Sequence, residues 1–139
     1  MYRVERRFTL PIGHRLSLHK GRCSSIHGHN FTILVGVMRE ELNDDYMVID
    51  FHDLKAVVDG LLDNLDHCLM INQADYEIGK ELHDMGMRVM MVDYDPTAEK
   101  LSEELYHQLK GTLERMYPKV KLEYITVYEN ENSKATYRE

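Results

Sequence analysis

A stripe of apolar residues at helical spacing limits the folds open to this chain more than any other feature of its sequence. Between residues 54 and 65 an apolar side chain recurs every three or four positions, as in a helix that buries one face: Leu54, Val57, Val58, Leu61, Leu62 and Leu65. The carboxylates of Asp50 and Asp53 precede this stripe and suit the positive end of a helix dipole. A second stripe follows Asp95–Pro96, a pair typical of a helix start, and consists of Leu101, Leu105, Leu109 and Leu113. The chain therefore contains two long amphipathic helices.

Segments with strand-like patterns lie on both sides of these helices. Apolar and polar residues alternate along residues 31–37, which is the period of a half-buried strand. Residues 73–86 are a further helix candidate, and the other predicted strands are residues 2–10, 88–92, 120–129 and 135–138. Residues 11–29 hold Pro11 and three glycines and are predicted as a loop. The order of these elements predicts an α+β fold with an antiparallel sheet.

Length and charge narrow the class of protein. With 139 residues the chain fits one domain, residues 1–139. Its net charge of −7 argues against binding to duplex nucleic acid, which requires a strongly basic surface. No apolar run approaches the ~20 residues of a membrane span, and the first residues lack the apolar core of a secretory signal. The two cysteines, Cys23 and Cys68, do not make a disulfide framework, so we expect a cytoplasmic protein. From the charge and the lack of a long apolar run we expect no nucleic-acid partner and no membrane partner.

Three histidines near the N-terminus have the spacing of a metal site. His27 and His29 are separated by one glycine and lead directly into a predicted strand. In extended backbone, residues i and i+2 project to the same side, so both imidazoles can converge on one ion. His14, on the segment before them, offers a third nitrogen. Three imidazoles with a fourth position open is the ligand set of catalytic zinc, so the spacing is compatible with Zn²⁺ as a cofactor and equally with histidines that bind no metal.

Cys23 lies four residues before His27 and has two functional interpretations. It can be a fourth zinc ligand, which gives a closed structural site. It can instead be a thiolate base beside an open metal site, activated by the nearby positive charge. The spacing alone leaves both open, together with a buried and inert cysteine.

Two further acidic positions stand at the ends of predicted elements. Asp66 and His67 follow the first helix, and because adjacent helical residues point about 100° apart, we expect no hydrogen bond between them. Glu129 ends a strand, where its carboxylate can project into a cleft and accept paired N–H bonds from a planar, guanidine-like edge.

Six motifs, in this order, are similar to those of the 6-pyruvoyltetrahydropterin synthase family. They cover nearly the whole chain: Phe8 with His14-Arg15-Leu16; Cys23-x-x-x-His27-Gly28-His29; Val48-Ile49-Asp50-Phe51-x-x-Leu54-Lys55; Leu65-Asp66-His67-x-x-x-Ile71-Asn72; Pro96-Thr97-x-Glu99; and Val127-Tyr128-Glu129 before Tyr137-Arg138. Three residues separate the cysteine from the His-Gly-His motif, as in the family's queuosine-pathway branch, whereas the animal-type members have five. Residues 73–94 form a longer stretch than in many compact members.

The resemblance implies a role for each matched residue. The zinc ligands are expected to be His14, His27 and His29. The catalytic residues are expected to be Cys23, which takes up a proton from the substrate side chain, its partners Asp66 and His67, and Glu129. The substrate-binding residues are expected to be Glu129, which anchors the pterin ring, and Thr97, at the pterin pocket.

The resemblance also implies an architecture and an assembly. The family's fold, the T-fold of tetrahydrobiopterin-biosynthesis enzymes, has a four-stranded antiparallel sheet with two helices packed on one face. Its subunits form homotrimers that stack into homohexamers, with active sites between subunits. We expect residues 2–10 and 120–129 to pair between subunits, because an open strand edge exposes unpaired backbone N–H and C=O groups that favour aggregation, and pairing satisfies them.

The activity implied by the resemblance is that of a zinc-dependent lyase acting on a pterin triphosphate. The queuosine-pathway branch converts 7,8-dihydroneopterin triphosphate to 6-carboxytetrahydropterin, with release of acetaldehyde and triphosphate. One alternative is the pyruvoyl synthase reaction, which uses the same fold and metal and eliminates triphosphate. Another is a non-enzymatic module with a structural zinc, in which Asp66, His67 and Glu129 are surface residues.

Overall fold

Six strands form one mixed sheet in the computed structural model, which describes residues 1–139. The strands are β1 (Tyr2–His14), β2 (His27–Arg39), β3 (Cys68–Asn72), β4 (Val89–Val92), β5 (Lys121–Asn130) and β6 (Ser133–Tyr137). The helices are α1 (Phe51–Leu62), α2 (Tyr76–Asp84) and α3 (Ala98–Met116). Two 3₁₀ turns occupy Arg22–Ser24 and Gln73–Asp75. No helix of the chain is both long enough and apolar enough to cross a membrane.

The order of strands across the sheet is β4-β3-β1-β2-β5-β6. The pairs β1/β2, β2/β5 and β5/β6 are antiparallel, whereas β1/β3 and β3/β4 are parallel. The α+β class is confirmed, but the expectation of four antiparallel strands with two helices is wrong, because there are six strands, two parallel pairs and three helices. The missed strand, β3, has five residues of which three are buried, so it carries no regular alternation of apolar and polar residues.

The strand β1 is longer than predicted, because residues 11–14 belong to it and not to a loop. Pro11 is compatible with this position because its nitrogen, which has no hydrogen to donate, points toward β3. The pairing of β1 with β3 begins only at Ile12, so no strand residue needs a donor from Pro11. On that side the carbonyl of Pro11 accepts a hydrogen bond from the backbone N–H of His67 at 2.9 Å. The proline therefore removes no hydrogen bond from the sheet.

The core lies between one face of the sheet and the helices α1 and α3. The alternate positions of β1 and β2 that face these helices are buried, and they include Phe8, Leu10, Ile12, Phe31, Ile33, Val35 and Val37. The predicted helical stripes supply the opposite side of the core, with Leu54, Val58 and Leu62 from α1 and Leu101, Leu105, Leu109 and Leu113 from α3. The end of β1 lies beside the start of α3, where Nδ1 of His14 is 2.8 Å from the carbonyl oxygen of Pro96.

The helix starts agree with the sequence in one case and differ in the other. Asp50 caps α1, and its side chain accepts the N–H of His52 at 2.7 Å. The predicted start of the second long helix at Asp95–Pro96 is two residues early, because α3 begins at Ala98 and its cap is Thr97. Asp95 is thereby free for other contacts.

Candidate active site with a three-histidine centre

Three imidazoles meet where β1 ends and β2 begins. In the register of this antiparallel pair His14 lies opposite His27, and Ile12 lies opposite His29. All three histidines occupy positions on the core-facing side of the sheet, so their rings gather in one place. The ring centroids are 4.5 to 5.1 Å apart, and one nitrogen from each ring lies within 4.8 Å of the others.

His14 is the buried member of this group, with 1% of its surface exposed. Its Nδ1 lies 2.8 Å from the carbonyl oxygen of Pro96. Since a carbonyl can only accept, Nδ1 carries the hydrogen and Nε2 has a free lone pair. That Nε2 is buried and has no hydrogen-bond partner, which is costly unless a ligand occupies it. Burial lowers the pKa of His14, which keeps the ring in the neutral form that binds metal.

His27 is oriented in the same way by a different carbonyl. Its Nδ1 lies 2.7 Å from the carbonyl oxygen of Ser25, so its Nε2 also has a free lone pair. Hydrogen bonds from the distal nitrogen to a carbonyl are the usual way in which proteins fix a metal-binding imidazole. The histidine set therefore fits a zinc ion with three nitrogen ligands and an open fourth position.

Glu129 lies at the same end of the sheet as the histidines. It follows Ile125 and Val127 on the alternate positions of β5 that face the core, but unlike them it is partly exposed. Its negative charge is close enough to raise the pKa of His14, a smaller effect than the lowering by burial. A carboxylate thus lies beside the candidate metal site.

Cys23 lies in the loop between β1 and β2, within the 3₁₀ turn Arg22–Ser24. Its side chain is partly buried, and its carbonyl accepts the N–H of Leu16 at 2.9 Å, which closes the loop. The thiol is not part of the group of ligand atoms formed by His14, His27 and His29. The structure therefore shows an open three-histidine group and not a closed set of one cysteine and three histidines.

Asp66 and His67 lie in a turn after α1, and the prediction that they do not bond to each other is wrong. Nδ1 of His67 is 2.8 Å from a carboxylate oxygen of Asp66. The helix ends at Leu62, and His67 has a backbone φ of 55°, so the helical spacing on which the prediction depended does not apply. Both side chains are exposed, and neither is hydrogen-bonded to Cys23 within the chain.

Thr97 and Pro96 lie at the start of α3, next to the histidines. The hydroxyl oxygen of Thr97 accepts the N–H of Lys100 at 3.1 Å, so it acts as a helix cap. The sequence could not show that the carbonyls of Pro96 and Ser25 orient two of the histidines, because any residue type carries a carbonyl. Only the proximity of Ser25 to His27 in the chain hints at the second contact.

Comparisons with known proteins give a consistent result for fold and family. Residues 3–139 match the model of the family described as 6-pyruvoyl tetrahydropterin synthase. The chain is 30% identical to a protein of Aquifex aeolicus named 6-carboxy-5,6,7,8-tetrahydropterin synthase, over 99% of this chain and 98% of that one. It is 31% identical to a protein of the same name from Rickettsia bellii, over 78% of this chain and 80% of that one.

Solved structures show the same fold. An uncharacterized protein from Wolinella succinogenes superposes with a TM-score of 0.83 at 20% identity, over 99% of this chain and 97% of that one. The Caenorhabditis elegans 6-pyruvoyl tetrahydropterin synthase superposes with a TM-score of 0.72 at 23% identity, over 99% and 95% of the two chains. The T-fold expected from the sequence is thus confirmed, with the strand and helix counts corrected above.

Proposed function

The chain belongs to the 6-pyruvoyl tetrahydropterin synthase family, and we propose that it converts 7,8-dihydroneopterin triphosphate to 6-carboxy-5,6,7,8-tetrahydropterin, releasing acetaldehyde and triphosphate. This reaction belongs to queuosine biosynthesis and makes the protein a zinc-dependent lyase. The observation that carries the proposal is the buried, unpaired Nε2 of His14 among three converging imidazoles. The names of the relatives from Aquifex aeolicus and Rickettsia bellii support the choice of product.

We assign the zinc ion to Nε2 of His14 and His27 and to a ring nitrogen of His29. When bound there, zinc supplies Lewis-acid polarisation of the substrate's side-chain oxygens, which makes the adjacent C–H more acidic. The carbonyls of Pro96 and Ser25 hold two of the rings in the metal-binding tautomer, so little reorganisation is needed when the ion binds.

In this proposal Cys23 is the base that accepts a proton from the substrate side chain. Its position outside the three-histidine group supports a base and not a fourth ligand. We expect Cys23→Ala to retain zinc and to lower turnover by about 10²–10⁴, since this is the usual contribution of a general base. Loss of zinc from Cys23→Ala, measured by elemental analysis, would instead favour a structural site.

Glu129 is proposed to anchor the pterin ring. Its carboxylate faces the histidine site from β5 and can accept paired N–H bonds from the ring's guanidine-like edge. Thr97 is proposed to line the same pocket from the start of α3, although its hydroxyl already accepts one backbone hydrogen bond.

Asp66 and His67 are proposed to act on Cys23 across a subunit interface, in a homotrimer or homohexamer. Both side chains are exposed and hydrogen-bonded to each other, and neither has a further side-chain partner within the chain. Open strand edges are available for such an assembly, namely residues 2–10 of β1, which lie outside its pairing with β3, and the outer strands β4 and β6. The expectation that residues 120–129 pair between subunits is wrong for the second half of β5, because that half already pairs with β6 within the chain.

The test is incubation of the zinc-replete protein with 7,8-dihydroneopterin triphosphate, followed by mass spectrometry of the pterin products and an assay for acetaldehyde. We expect 6-carboxytetrahydropterin and acetaldehyde in equal amounts. A pyruvoyl product without acetaldehyde would assign the alternative pyruvoyl synthase reaction. An unchanged substrate, with zinc bound and Cys23 protected from alkylation, would point to the structural module.

A further inference from the structure

The loop that carries Cys23 is tied to the rest of the molecule by two carboxylates outside it. Asp95, just before α3, accepts the backbone N–H of Ser17 at 3.2 Å and that of Leu18 at 2.9 Å. The side-chain amide of Asn72 donates to the same Asp95 at 2.9 Å. The second carboxylate, Asp75, ends the 3₁₀ turn that precedes α2. The loop is therefore held against the segment between β3 and α3.

Arg15 joins Asp75 to the part of the loop next to the cysteine. Its Nε donates to the carbonyl of Ser24 at 2.7 Å, and its Nη1 lies 3.0 Å from Asp75 Oδ1. The other oxygen of Asp75 accepts the hydroxyl of Ser17. The side chains of Arg15 and Asp75 are only 21% and 16% exposed, so solvent screens this ion pair less than an exposed pair on the surface.

The residue that Arg15 binds stands between two functional positions. Ser24 follows Cys23, and it precedes Ser25, whose carbonyl orients His27. Arg15 itself follows His14 directly in the chain. One planar guanidinium with a fixed fork of donors therefore links the end of β1, the cysteine turn and the α2 segment.

We propose that Arg15 and Asp75 form a positioning clamp that sets where the Cys23 thiol lies relative to the three histidines. The clamp makes the 3₁₀ turn Gln73–Asp75 part of the apparatus that positions the loop carrying Cys23. This inference rests on the proposed role of Cys23 as a base. A base must lie within hydrogen-bond reach of the proton it takes, and a displacement of about 1 Å can cost 10²-fold in rate.

The variant that tests the clamp is Asp75→Asn. It keeps the size of the side chain and one acceptor oxygen, but it removes the charge and can turn an NH₂ donor toward Arg15. Asp84→Asn is the matched control, because Asp84 belongs to α2 of the same segment and pairs only with the exposed groups Lys80 and His83. Asp75→Glu restores the charge on a longer side chain and serves as the rescue variant.

Three measurements on the zinc-replete protein separate positioning from simple stabilisation. Hydrogen exchange of the amides in residues 15–25 should become about tenfold faster in Asp75→Asn, with β2 and α3 unchanged. Alkylation of Cys23 by iodoacetamide, followed by peptide mass spectrometry with the buried Cys68 as the internal reference, should accelerate about tenfold for the same reason. Turnover of dihydroneopterin triphosphate should show kcat lowered about ten- to a hundredfold, with KM changed about twofold or less.

Asp75→Glu should recover part of the lost kcat, and Asp84→Asn should behave as the wild type in all three measurements. The clamp is overturned if Asp75→Asn and Asp84→Asn give the same exchange and alkylation rates. It is also overturned if Asp75→Asn lowers only the melting temperature. Failure of the proposed function looks different, because the wild type would then be inactive while the exchange and alkylation measurements still report on the loop.

Discussion

At the scale of single residues, the candidate site depends on which nitrogen of each histidine carries a hydrogen. The carbonyls of Pro96 and Ser25 place that hydrogen on Nδ1 of His14 and His27. Both Nε2 lone pairs are then available to a metal ion, and the one on His14 has no other partner. Metal affinity and stability should therefore change together when a ligand is removed.

His29→Ala should lower zinc affinity and activity together, because it removes one of three protein ligands. The measurement is zinc content by elemental analysis after dialysis, alongside turnover. His52→Ala is the control, since His52 is exposed on α1 and its side chain has no hydrogen-bond partner. A His29→Ala protein that keeps a full equivalent of zinc and full turnover would contradict the metal assignment.

Glu129→Gln should weaken pterin binding and leave zinc content unchanged. The substitution replaces one acceptor oxygen by an NH₂ group that would face the N–H donors of the pterin ring, at a cost of about 1–3 kcal/mol. Calorimetric titration with a pterin ligand measures the change. Glu131→Gln, two residues farther along and exposed, is the control, and equal affinities for the two variants would remove Glu129 from the pocket.

At the scale of elements, the face of the sheet away from the helices has its own packing. Gly36 in β2 lies under the ring of Tyr124 in β5, and a Cβ at this position would overlap that ring. The hydroxyl of Tyr124 donates to Glu5, and the guanidinium of Arg3 lies 5.9 Å from the ring centre. The ring is thus held in place by β1, so the contact joins three neighbouring strands.

Gly36→Ala should destabilise the protein by about 1–3 kcal/mol, the usual cost of overpacking. Gly60→Ala in α1 should stabilise it by about 0.5–1 kcal/mol, because alanine favours a helix and a Cβ there meets open space. Urea unfolding of the two variants gives both changes in free energy. If Tyr124→Ala does not relieve the effect of Gly36→Ala in the double variant, the steric explanation fails.

At the scale of the whole molecule, the open questions concern what completes the site and closes the sheet. Asp66 and His67 form an exposed pair without a partner in the chain, and residues 2–10 of β1 have no strand on one side. Association between copies of the chain can pair the free edge of β1 and supply a partner for Asp66 and His67 at one interface, because edge pairing would bring a neighbour's residues beside the site.

Mixed assembly of two inactive variants tests this interface. Cys23→Ala and His67→Ala subunits are unfolded and refolded together in equal amounts. If each site takes Cys23 from one subunit and His67 from another, each residue is intact in half of the sites, so about one quarter of the sites should have both and regain activity. Light scattering should report a trimer or hexamer for the wild type. Recovery no greater than the sum of the separately refolded variants would exclude a site that takes Cys23 from one subunit and His67 from another.

The sequence by itself determined the features that depend on short-range spacing. The helical stripes placed α1 and α3 to within a few residues, and the i, i+2 spacing of His27 and His29 predicted that both rings project to one side of extended backbone, which the structure shows as the start of β2. These patterns can be predicted because 3.6- and 2-residue periods record which face of an element is buried.

Only the tertiary structure decided the features that join residues far apart in the chain. Pro96 lies 82 residues from His14, yet its carbonyl fixes the tautomer of that ring. The parallel strand β3 and the extension of β1 through Pro11 exist because each completes hydrogen bonds of the other, which no local period records. The bond between the adjacent residues Asp66 and His67 also depends on a distant contact, because His67 has a left-handed φ of 55° and its backbone N–H donates to the carbonyl of Pro11. Long-range backbone pairing carries no side-chain signature, and for that reason the three histidines that gather could be predicted from their spacing but not the contacts that orient them.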